Sequence, residues 1–77
     1  MIYADPPRRY SARGLRWSHV TATTTGELLT FARRYGLRRR DASPFLHFDV
    51  TDVELAQLKE LGASIVMTRR VPRPTET

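Results

Sequence analysis

Residues 45–61 read FLHFDVTDVELAQLKEL, and the hydrophobic period changes inside them. From Phe45 to Val50 the period is two. Leu46, Phe48 and Val50 fall on one face and Phe45, His47 and Asp49 on the other, the alternation of a short strand with one side in a core. From Thr51 the period is helical. Thr51 with Glu54 three residues on makes a capping box, Leu55, Leu58 and Leu61 recur on one side of a helix over Asp52–Leu61, and Gly62 stops it. A strand that runs straight into a helix is the basic step of an α/β fold. The same stretch leaves two ionisable groups, His47 and Asp49, in an otherwise apolar strand.

The pattern recurs upstream. Thr24 and Glu27 form another capping-box pair, Leu28, Phe31, Ala32 and Tyr35 fall at helical spacing, and Gly36 supplies a left-handed stop, which predicts a first helix. Before it, WSHVTAT (Trp17–Thr23) is rich in β-branched and aromatic residues and predicts a strand. Trp17, His19 and Thr21 share one of its faces, and Ser18, Val20 and Ala22 the other. MIYA (Met1–Ala4) predicts another strand, ended by Pro6 and Pro7, because Asp5 is held extended before a proline and neither proline donates to a ladder. PPRRYSARGLR then reads as a basic loop with Gly14 as its turn residue. ASIVMTRRV predicts a last strand. The expectation is a single α/β domain over residues 1–70, in the order β-β-α-β-α-β, with a mixed four-stranded sheet and two helices packed on it. The proline-interrupted polar segment at 71–77 reads as a disordered tail.

A chain of 77 residues holds one hydrophobic core. A domain of this size buries only about 60% of its unfolded surface, so a homo-oligomer or partner surface is a natural supplement. There is no cysteine, and with it no disulfide framework and no thiolate metal site. MIYADPPRRY carries prolines and charge where a signal peptide needs an apolar stretch, and no run is long enough to cross a bilayer, so the expected location is cytoplasmic with no membrane partner.

Thirteen Lys plus Arg against eight acids give a formal charge of +5. Twelve of the thirteen cations are Arg and there is no Asn, the bias of a GC-rich coding sequence. That bias explains Arg in place of Lys but not the positive excess. Arg8, Arg9, Arg13 and Arg16, with Tyr10 among them, form one basic segment. Arg38, Arg39 and Arg40 form another, beyond Arg33 and Arg34, whose place in a last helical turn is explained by the helix dipole. These two segments point to nucleic-acid backbone or a phosphorylated ligand as partner, since neutralising phosphate releases counterions. No helix-turn-helix, zinc-finger or RNP-type pattern occurs, so sequence-specific base reading is not supported. No P-loop, G-x-G-x-x-G or nucleophile elbow occurs either, and Tyr3, Tyr10 and Ser18 are poor nucleophile candidates without a demonstrated base beside them.

The chain has two histidines, His19 and His47, both in apolar strands. His47 and Asp49, two apart on one strand face, line the same side. If the strands neighbour one another, Asp5, His19, His47 and Asp49 form a polar cluster. Such a set could act in acid–base chemistry, a carboxylate orienting an imidazole, and His19, His47 and Asp49 could ligate a divalent metal. The plainer alternative is that these are hydrogen-bonded, half-buried histidines, with Asp5 capping the turn at the prolines and Asp49 assisting the start of the second helix.

The runs DPPRRYSARGLRWSHV, GELLTFARRYGL, HFDV and LGASIVMTRR resemble a widespread family of short bacterial and phage proteins classed only as a domain of unknown function. The family pattern falls on Asp5, Gly14, Ser18, His19, Glu27, Leu28, Gly36, His47, Asp49, Gly62, Ala63 and Arg70. Phe48 stands where the family usually has Tyr, and DASPF replaces a segment that usually carries a Trp-Phe pair and a Gln. The resemblance implies that both histidines and both aspartates belong to a recurring pattern. It attaches no activity. Three readings follow: a module that binds nucleic-acid backbone or another phosphate-bearing ligand around a His/Asp cluster; a metal-dependent or acid–base hydrolase using His19, His47, Asp49 and Asp5; and an interaction protein without chemistry. The distance between the two imidazoles separates them.

Overall fold

The structure is a computed structural model that describes residues 1–9, 14–37 and 46–76. Its elements are β1 (Ile2–Ala4), β2 (Arg8–Arg9), β3 (Arg16–Ala22), α1 (Thr25–Tyr35), β4 (Phe48–Thr51), α2 (Asp52–Glu60) and β5 (Ile65–Met67). The central strand is β3. Trp17 pairs with both Arg8 and Thr51, and Val20 with both Ala4 and Phe48, so β1 and β2 lie on one flank of β3 and β4 on the other, all antiparallel to it. β5 adds outside β1 in parallel register, Ile2 opposite Ile65 and Ala4 opposite Met67. Because β1 and β2 share one flank, they form a single row broken at Asp5–Pro7. The sheet is therefore four rows wide and mixed, as the order of elements predicts.

The break in that row is a bulge. Between the pairs Ala4–Val20 and Arg8–Trp17, three residues (5–7) on one strand oppose two (18 and 19) on the other. Pro6 and Pro7 cause it, since they have no N–H for the ladder and the chain must step past them. Pairing then resumes. This is where the structure departs from the basic loop expected after Asp5: Arg8 and Arg9 are sheet residues. Tyr10, Arg13, Arg38, Arg39, Arg40 and Phe45 lie outside the described residues.

Both helices begin on the expected caps. Thr24 Oγ1 accepts from Glu27 N at 3.1 Å, and Gly36 closes α1 at φ 68°, a conformation that costs a side-chain-bearing residue more than it costs glycine. At α2 the capping box is complete, with Glu54 N donating to Thr51 Oγ1 at 3.2 Å and Thr51 N donating to Glu54 Oε1 at 2.9 Å. The helices cover one side of the sheet. Leu28, Phe31 and Ala32 of α1 and Leu55 and Leu58 of α2 pack on Ile2, Ala4, Val20, Ala22, Phe48 and Val50, the alternate residues of β1, β3 and β4.

Leu61 does not join them. The sequence groups it with Leu55 and Leu58, but α2 ends at Glu60 and Leu61 is 70% exposed. Ala63 N bonds back to Leu58 O at 3.0 Å, which turns the chain toward β5 and gives Ala63 the place against the core. At the other end, the segment expected to be disordered returns to the start of α1. Thr75 N donates to Thr23 O at 3.0 Å, and Thr75 O accepts from Thr25 N at 2.7 Å, taking one of the N–H groups a helix start leaves without an internal partner.

These positions predict opposite outcomes for two leucines. Leu28→Ala empties a fully buried site and is expected to cost about 2–5 kcal/mol, whereas Leu61→Ala is expected to change stability by less than about 0.5 kcal/mol. Urea denaturation of the two variants measures both.

Candidate metal centre

The side of the sheet away from the helices carries the ionisable residues. His19 alternates with Ser18 and Val20, which are buried against the helix side, and so faces the opposite way. Its ladder partner on β4 is Asp49, and paired residues share a face. His47, two residues before Asp49, shares that face too. On the other flank Asp5 N donates to His19 O at 3.3 Å, which continues the β1 register by one residue and sets Asp5 opposite His19. The topology thus brings Asp5, His19 and Asp49 into one row across three strands, with His47 one step along.

Asp5 holds His19 twice. A regular antiparallel pair would have His19 N donate to the Asp5 carbonyl; here it donates to the Asp5 carboxylate Oδ1 at 2.7 Å. The other carboxylate oxygen, Oδ2, lies 2.7 Å from His19 Nδ1. A carboxylate only accepts, so Nδ1 carries the proton, and the tautomer this contact selects has its lone pair at Nε2. The Asp5 side chain is 7% exposed and that of His19 32%, so the carboxylate is buried and the ring partly exposed.

The second pair lies beside the first. His47 Nε2 is 3.1 Å from Asp49 Oδ1, with the His47 side chain 13% exposed and that of Asp49 32% exposed. The two imidazoles meet edge to face at 4.7 Å between ring centres. One ligand atom from each of His19, His47 and Asp49 can be chosen so that all three lie within 4.8 Å of one another. Nitrogen and oxygen ligands bind a divalent ion at about 2.0–2.2 Å, so neighbouring ligands on it stand roughly 3–3.5 Å apart. The His47–Asp49 spacing already meets this. A bound ion would need His19 at that same spacing from the other two.

Asp5 then occupies the position of the outer carboxylate that commonly orients a metal-bound histidine. The sequence groups the four residues on condition that their strands are neighbours, which β1, β3 and β4 are, but it does not show the bulge that sets the Asp5 carboxylate on His19. The signal available was the Asp-Pro-Pro run itself.

Other candidates fall elsewhere. Ser18 is fully buried on the helix side, its Oγ without a partner among the described residues, so it does not pair with His19. Arg16 alternates with Ser18 and so belongs to the helix side, with Arg9 opposite it in the ladder. Arg8 pairs with Trp17, which shares the face of His19.

A two-layer α/β fold with a His/Asp cluster on the sheet side away from its helices is the class that these observations define. Within it, the chain belongs to the family described as Protein of unknown function (DUF4031), whose model matches residues 2–76. No curated protein and no solved structure matches the chain.

The double hold on His19 generates a prediction. Asp5→Ala leaves the buried His19 N–H without its acceptor and is expected to cost about 1–3 kcal/mol by urea denaturation. In the same variant the imidazole proton moves from Nδ1 to Nε2, which nitrogen-15 spectra of the ring read directly; an unchanged Nδ1–H tautomer would remove the orienting role.

Proposed function

We propose that this protein binds a divalent transition-metal ion through His19, His47 and Asp49 and leaves part of its coordination sphere to an exogenous ligand. The observation that carries the reading is the convergence of three ligand atoms, one from each residue, within 4.8 Å of one another. Two imidazoles and one carboxylate suit zinc, manganese, iron or cobalt better than calcium or magnesium, which prefer all-oxygen shells. Three protein ligands on one side are fewer than a closed structural site uses, and such open sites are the catalytic kind. Bound metal at this centre would lower the pKa of a coordinated water, the usual route to hydrolysis by sites of this composition. The protein's own part is to fix His19 through Asp5 and to hold Asp49 beside His47.

The basic-module reading has less support. Among the described residues, Arg8 shares the face of His19, whereas Arg16 lies on the helix side of the sheet and Arg33 and Arg34 lie on α1, so these four arginines do not line one track through the His/Asp cluster.

Titration calorimetry with Zn²⁺ and Mn²⁺ tests the proposal. One ion per chain is expected, with affinity reduced at least about 100-fold by His19→Ala, His47→Ala or Asp49→Asn and about 10–100-fold by Asp5→Asn. Equal affinity in wild type and all four variants would contradict it.

A further inference from the structure

The bulge at Asp5–Pro7 changes the face of everything that follows it on that row. In the register of β1, partners sum to one value: Ile2 faces Ala22 and Ala4 faces Val20. Continued without the extra residue, that register would set Arg8 opposite Arg16, on the helix side. With it, Arg8 pairs with Trp17. A one-residue slip carries a strand residue to the opposite face, and here it delivers an arginine to the side of His19.

Arg8 is exposed, and its guanidinium has no partner among the described residues. Trp17 lies two residues from His19 along β3, about 7 Å. An extended arginine side chain on the next row spans that distance. Trp17 itself is half-buried on the same face.

We infer that the exogenous ligand is a phosphate monoester whose terminal phosphoryl group bridges the metal and the Arg8 guanidinium. This rests on the metal reading above. A guanidinium presents a planar pair of donors that matches two oxygens of one tetrahedral anion, while the ion takes a third. A nucleic-acid backbone needs cations repeated along a track, and of Arg8 and Arg16, the two basic-segment arginines that the ladder sets on opposite faces, Arg8 alone shares this one. The monoester is therefore favoured over an internal diester.

The experiment is calorimetry of the metal-loaded protein with inorganic phosphate, alongside an unphosphorylated single-stranded oligonucleotide at the same ionic strength. Phosphate is expected to bind wild type, to bind Arg8→Ala about tenfold or more weakly, and to bind Arg16→Ala as it binds wild type, with metal affinity equal in all three. Arg8→Lys, which keeps the charge but loses the fork, is expected to fall between wild type and Arg8→Ala. Phosphate affinity unmoved by Arg8→Ala, or tighter binding of the oligonucleotide than of phosphate, overturns the monoester inference while metal binding stands. Failure of wild type to bind metal overturns both readings together.

Discussion

Asp5 accepts two hydrogen bonds from His19, one from its backbone N–H and one from its ring. Much of the remaining arrangement follows from that contact. Two prolines after Asp5 prevent an ordinary ladder, so the carboxylate supplies the acceptor that the strand would otherwise offer through its backbone. In doing so it ends β1, admits one extra residue into the row and restores pairing at Arg8. The same contact selects the imidazole tautomer with its lone pair at Nε2. A local repair of a broken sheet and the preparation of a ligand atom are here one interaction.

The sheet divides its two faces. Ile2, Ala4, Val20, Ala22, Phe48 and Val50 disappear under α1 and α2, with Ser18 a polar exception among them; the opposite face carries Asp5, His19, His47 and Asp49. In a chain this short the core is small, and burying carboxylate and imidazole on the opposite face costs desolvation that only mutual hydrogen bonds offset. Each histidine accordingly has a carboxylate within contact distance. The side chains of His19 and Asp49, each about a third exposed, mark where the cluster opens to solvent.

Most of the fold was legible because it is written in local chemistry. Thr24–Glu27 and Thr51–Glu54 announce both helix starts, Gly36 one helix stop, and the period-two runs sort core from site. The grouping of His19, His47 and Asp49 followed from strand parity once the strands were neighbours. What escaped depended on contacts distant in sequence. Leu61 fits the helical period but loses its place because Ala63 folds back onto Leu58; Thr75 sits in a polar, proline-flanked tail and is held by the start of α1. The shift of Arg8 to the site face needed the count of residues across the bulge, which no propensity contains. Charge clustering in the sequence likewise ignored strand parity and so grouped Arg8 with Arg16.

The claim that three side chains form one centre is tested most directly by X-ray absorption at the metal edge of the protein loaded with one equivalent of Zn²⁺. The account predicts a first shell holding two imidazole nitrogens at about 2.0–2.1 Å, with the multiple scattering of the rings, and oxygen ligands completing it, the nitrogen count falling to one in His47→Ala. A shell of oxygens alone, or one unchanged by His47→Ala, would contradict it.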